Sequence, residues 1–169
     1  NQATFITNTA ASAANLVISE VFYNPPGSAE VTEYVELFNV GNETISLAGV
    51  AFVEGIAFTF PDDTTLVAGG RLLVVADLTA FEVMFGSVLP VAGTFSGQLN
   101  NGGEVITLTA ANGDQIASFR YDDRVPWPVS ADLDGRSLTM IAPRPGLDAN
   151  DSSIWRSSIA SGGSPGNSD

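Results

Sequence analysis

The sequence predicts an all-β domain, a two-sheet antiparallel sandwich with one short helix, and three observations carry that expectation. Short runs rich in β-branched, aromatic and aliphatic residues recur from Leu16 to Ile159. Turn formers separate them at Asn24-Pro25-Pro26-Gly27, Gly69-Gly70, Asn100-Asn101-Gly102-Gly103 and Asn112-Gly113. A single segment, Asp77–Gly86, carries a helical signature. About ten short strands at regular spacing fit a sandwich better than any layered α/β arrangement.

The elements follow in order. Asn1–Asn15 has no charge, and its Thr4-Phe5-Ile6-Thr7 core is β-prone. The Ala-Ser stretch after it reads as a linker. Val17–Tyr23 and Tyr34–Phe38 are the first strands, interrupted by Glu20, Glu33 and Glu36. A carboxylate inside an apolar strand is costly unless it meets water, a partner or a metal. Val50–Val53 and Ala57–Phe60 flank Glu54-Gly55 as a hairpin, and Gly69-Gly70 leads into strand Arg71–Ala76. In the helical segment Thr79 and Glu82 have capping-box spacing, and Gly86 suits a C-terminal cap. Glu104–Ala110 and Gln115–Tyr121 flank Asn112-Gly113, a strong hairpin signal. Arg136–Ile141 is the expected last core strand, with a short one around Ile154–Ile159, and SGGSPGNSD reads as a flexible end.

A chain of 169 residues with 17 Gly, 9 Pro and 44% apolar residues has the composition of one turn-rich globular domain. No apolar run is long enough to cross a bilayer as a helix. The chain starts at Asn1 rather than Met, for which a cleaved secretory signal is one explanation, and the expected location is secreted or at the cell surface. Nineteen acidic residues against six Arg give a formal charge of −13. Such a surface repels phosphate backbones and anionic lipid, so nucleic acid is not an expected partner. The sequence has no His, Cys or Lys. That removes imidazole bases, Ser-His-Asp arrangements, thiolate nucleophiles and Schiff bases, and leaves carboxylate chemistry or oxygen-only metal sites.

Several blocks, in order, carry a resemblance. They are Ile18-Ser19-Glu20-Val21-Phe22-Tyr23-Asn24-Pro25, then Glu33-Tyr34-Val35-Glu36-Leu37-Phe38-Asn39, then Ile45-Ser46-Leu47-Ala48-Gly49-Val50. Leu66-Val67-Ala68-Gly69-Gly70, Leu99-Asn100-Asn101-Gly102-Gly103-Glu104, Pro126-Trp127-Pro128, Asp134-Gly135-Arg136-Ser137-Leu138 and the closing Gly162-Gly163-Ser164-Pro165-Gly166 follow. With them the chain resembles the lamin tail domain family, in particular its prokaryotic members from secreted and surface proteins. The resemblance covers roughly residues 16–167 and implies an Ig-like β-sandwich. Asn1–Asn15 lies outside it, as an extended N-terminal segment. As a module reused in many settings, the family constrains function weakly.

The candidate sites are therefore weighed residue by residue. Glu20 and Glu36, with Asp132 and Asp134 of the loop Asp132-Leu133-Asp134-Gly135, are candidate calcium ligands; the alternatives are pairing across strands and an ordinary turn. Trp127 and Trp155 are either ligand-stacking or core-anchoring aromatics, and the resemblance implies the core. Thr4, Phe5, Ile6 and Thr7 are the candidate partner-binding residues, because an extended segment from one copy can complete an open sheet edge in the next. The expected function is a non-enzymatic structural or adhesive module, a filament subunit that assembles with itself by N-terminal strand donation. The alternative is a calcium-dependent ligand- or carbohydrate-binding accessory domain. No cofactor is required under the first reading, and calcium is the one implied under the second.

Overall fold

The computed structural model describes residues 8–27 and 30–169. It contains a six-stranded and a five-stranded sheet packed face to face, with a small three-stranded sheet beside them. In chain order the strands are β1 (Thr9–Ala10), β2 (Leu16–Phe22), β3 (Tyr34–Asn39), β4 (Ile45–Ser46), β5 (Ala51–Glu54), β6 (Ile56–Thr59), β7 (Thr65–Leu66) and β8 (Arg71–Val75). They continue as β9 (Val91–Thr94), β10 (Ser96–Gly97), β11 (Val105–Thr109), β12 (Gln115–Arg120), β13 (Leu138–Met140) and β14 (Trp155–Ser157). The helices are α1 (Leu78–Phe85) and the single turn α2 (Ser130–Leu133). The sheet orders are β14-β13-β2-β3-β8-β9, β10-β6-β5-β11-β12 and β1-β4-β7. The expected all-β sandwich is present, with one refinement: β8–β9 and β1–β4 pair in parallel, so the sheets are mixed.

The main core lies between the two large sheets and includes Ile18, Val21, Val35, Leu37, Val74, Phe52, Ile106 and Leu108. Trp127 and Trp155 are in it, with Trp155 stacked on Phe119 at 5.1 Å. A second cluster on the opposite face of the six-stranded sheet joins Phe22, Tyr34, Leu73 and Val75 to Phe81 of α1. A sheet covered on both sides needs apolar residues at consecutive positions, which is why β2 and β3 do not alternate cleanly with polar residues. Between Ile18 and Glu20 the β2–β3 register shifts, the signature of a β-bulge that absorbs Ser19. The extra residue lets Ile18 and Val21 both reach the main core while Glu20 turns to the outer face.

Three sequence expectations are corrected. The N-cap of α1 is Asp77, whose carboxylate accepts from Ala80 N at 2.8 Å; the capping box expected at Thr79 and Glu82 starts two residues too far in. The Ala-Ser stretch is not a free linker. Its Ala11 is buried, Ala11 N donates to Ser46 O, and Ser12 and Asn15 close a local turn. The tail is not a flexible end either, because Ser161–Asp169 is fastened across the outer face by hydrogen bonds described next.

Candidate functional site

The bulge at Ser19 and the alternation of β3 place Glu20 and Glu36 side by side on the outer face of the six-stranded sheet, paired in register. Both are essentially excluded from solvent. Buried charge persists only with compensating donors, and here they are plentiful. Glu20 accepts from the Tyr34 hydroxyl at 2.6 Å, the Ser137 hydroxyl, Ser164 N at 2.8 Å and the Ser164 hydroxyl at 3.0 Å. Glu36 accepts from the Ser19 hydroxyl at 2.7 Å, Gly166 N at 2.7 Å and the guanidinium of Arg71. Arg71 also lies over the Phe38 ring, 4.4 Å from its centroid. Burial pushes the Glu36 carboxyl above its ordinary value, with Ser19 and Arg71 acting in the opposite direction. Burial likewise raises the Tyr34 phenol, and the neighbouring Glu20 raises it further.

The C-terminal segment is thus the roof of this pair. Tyr34 also donates to Gly162 O at 3.1 Å, and Arg156 is ion-paired with Asp169, whose carboxylate accepts from Ile159 N at 3.0 Å. A Cβ at Gly163 would lie 2.0 Å from the Tyr34 hydroxyl and 2.3 Å from Glu20 Oε1, so only glycine lets the backbone come this close. With every carboxylate oxygen of the pair roofed and hydrogen-bonded, Glu20 and Glu36 act as anchors for backbone and side-chain donors.

The other two candidate ligands lie elsewhere. Asp132, at the end of α2, accepts from Asn24 Nδ2 at 2.6 Å, while Asp134 caps that turn and is exposed. Among the described residues no group of three or more Asp or Glu side chains converges as a metal site. The four residues therefore do not form one ligand set, because the bulge and the tail commit Glu20 and Glu36 to protein donors. Thr4, Phe5, Ile6 and Thr7 lie outside the described residues.

One end of the sandwich, which the sequence did not single out, gathers polar groups without partners. The Tyr23 hydroxyl, Glu33 Oε1 and Asn101 Oδ1 are buried there with no hydrogen bond among the described residues. The Tyr23 ring lies tilted against that of Tyr121 with centroids 4.7 Å apart, and Tyr121 donates to Asn100 O at 2.9 Å. Glu33 accepts from Leu99 N at 2.9 Å through its other oxygen. Burial, with smaller contributions from Glu30 and Glu104, lifts the Glu33 carboxyl to about 7. The strand pattern marked Glu33 as misplaced; its partner Leu99, 66 positions away, had no readable signal.

The lamin tail domain family model matches residues 9–123, from β1 to just beyond β12, and the chain belongs to that family. The match takes in Thr9–Asn15, consistent with their packing on the domain. It confirms the resemblance, and with it an Ig-like domain of a kind that generally serves protein interaction. No curated protein matches the chain.

Proposed function

We propose, from that family membership, that the chain is a non-enzymatic structural or adhesive module of a secreted or surface protein, and that it assembles with itself by donating Thr4–Thr7 to a neighbouring copy. The observation that carries this reading is β1. Thr9–Ala10 already runs as a strand along Ile45–Ser46, so the residues that directly follow the proposed donor segment are extended and sheet-bound. The residues preceding it are uncharged in a molecule of formal charge −13, so they can lie on a second copy without adding to its repulsion. A head-to-tail contact of this kind is heterologous and produces filaments instead of closed rings. Electron microscopy of the purified chain, with and without Asn1–Asn15, tests it: filaments that persist after the deletion overturn strand donation.

A second reading, a calcium-dependent ligand- or carbohydrate-binding accessory domain, draws support from the unpartnered oxygens of Tyr23, Glu33 and Asn101 at an acidic end of the sandwich. A melting temperature that rises with calcium and returns on adding EDTA is its expected signature; an unchanged melting temperature counts against it.

A further inference from the structure

The donor segment of the proposed assembly needs an acceptor, and among the described residues one side of the sandwich is unclosed. In the five-stranded sheet β12 is the terminal strand. The side chain of Asn150 covers part of its outer edge, accepting from Arg120 N at 3.1 Å and reaching Ser118 O at 3.4 Å. Gln115–Ala117 has no strand beside it on that side among the described residues. In the facing sheet β13 pairs with β2 only at Glu20 and Val21, and carries β14 on its other side. Leu16–Ile18 therefore has β3 on one flank and, among the described residues, no strand on the other. Two incomplete strand edges, one from each sheet, border the same gap.

That gap is a trough of about 300 Å³. Its floor is the side of the main core, with Leu16, Ile18, Ile116, Phe119 and Met140, and its walls carry polar groups such as Ser118 and Asn150. An apolar floor between edges with no neighbouring strand among the described residues is what an added strand requires. Apart from Leu16 N, which donates to Ser12 O at 3.0 Å, and the groups held by Asn150, main-chain groups of the edges can pair with it, and alternate side chains drop onto the floor. The trough continues into a second one of about 530 Å³, the two sharing Ala13, Gln115 and Ile116. Asn8, the residue that follows the donor segment, lines the far part of this second trough.

We infer that this trough is the acceptor for Thr4–Thr7 of a second copy, an inference that rests on the self-assembly reading above. A short uncharged strand suits it, with Phe5 or Ile6 supplying the apolar contact to the floor and the β-branched Thr4 and Thr7 favouring extended backbone. The occupant comes from another molecule for a reason of local chain direction. Asn8 and residues 10–13 line the second trough, and Ala13 the first, so a segment of the same chain running back along them must reverse at Asn8. Thr7 and Thr9 flank that position, and neither glycine nor proline stands near it to favour a reversal. Because each copy then carries its donor and acceptor at different places, the contact propagates in one direction.

Ala13 is exposed and lies where the two troughs meet, so Ala13→Arg obstructs the acceptor without removing a core group. The full-length variant is expected to keep the wild-type melting temperature and to lose its filaments. Wild-type filaments that A13R leaves intact, but that deletion of residues 1–7 abolishes, overturn the acceptor and leave strand donation standing. Wild-type protein that stays monomeric defeats both. The chain has no cysteine, so cross-linking supplies an independent readout. A13C mixed under oxidising conditions with T4C or with T7C, which alternate across a strand, is expected to give a disulfide-linked pair of two different chains for one of the two donor positions. If a doubly substituted chain instead closes its disulfide within one molecule, the occupant is the chain's own segment and the inference fails.

Discussion

The Tyr34 hydroxyl donates to Glu20 at 2.6 Å directly beneath Gly163, whose backbone closes over both groups. This relationship makes the sheet's outer face a seat for the chain's last residues, and it sets the first prediction. Gly163→Ala forces a methyl group into that seat and holds a side chain at φ +86, so it is expected to cost more than 2 kcal/mol, by the order of magnitude for overpacking added to a left-handed backbone. Gly113→Ala, at φ +87 with no atom within 4 Å, isolates the backbone part and is expected to cost only about 1–2 kcal/mol. Urea denaturation of the two variants reads the difference.

Arg71 is the cation beside Glu36. Arg71→Met removes it and leaves the carboxylate buried, for which about 3–5 kcal/mol of destabilisation is typical. The loss is expected to be smaller at pH 5 than at pH 8, because at the lower pH the buried Glu36, already shifted upward, takes up a proton instead of remaining charged. Equal losses at the two values would show that Arg71 acts by packing on Phe38 alone.

Glu33 makes stability depend on pH in a defined window. Its carboxyl moves from an ordinary 4.5 to about 7, so between these values the folded chain holds a proton that the unfolded chain has released. Stability therefore declines as pH rises from 4.5 to about 7 and is level above, by at most about 3 kcal/mol. Glu33→Gln keeps an acceptor for Leu99 N and cannot ionise. It is expected to melt higher than wild type at pH 8 and to lose this slope; a melting temperature lowered equally at pH 5 and pH 8 would count against the account.

Helix α1 is capped by Asp77, not by the Thr79 that the sequence suggested. Asp77→Ala is expected to cost about 1 kcal/mol because Ala80 N loses its acceptor. Thr79→Ala, inside the helix, is expected to change stability by no more than about 0.5 kcal/mol. Thermal melts of the two single variants distinguish them.

The strands were legible because their signals are local. Asn112-Gly113 sits in a hairpin closed by Gly113 N to Ala110 O and Ala110 N to Asp114 O, and Glu54-Gly55 separates β5 from β6. Glu20, Glu33 and Glu36 were legible as anomalies, with pairing to arginines or backbone groups as one reading of them, which Arg71 beside Glu36 bears out. Their particular partners at Ser164, Leu99 and Gly166 were not legible, being 144, 66 and 130 positions away. The same distance hid the role of SGGSPGNSD, whose composition resembles a loose tail while its backbone N–H groups serve as donors to buried carboxylates. The helix cap was misplaced because Asp77 and Thr79 both satisfy capping preferences, and only the chain path selects between them. The acceptor trough had no local signature at all, because its two edges come from β2 and β12, on different sheets.

The roof over Glu20 and Glu36 also fixes an order of events. During synthesis the β2–β3 hairpin leaves the ribosome well before Ser164 and Gly166 exist, and domains assemble from their N-terminal portion onward. Until those residues arrive, the outer face presents two carboxylates that lack their last donors and so remain in contact with water. Closure over such sequence separations is slow compared with helix formation or local hairpins. The nascent sheet thus stays hydrated on one face until translation has passed residue 166, which defers its final dehydration to the end of folding.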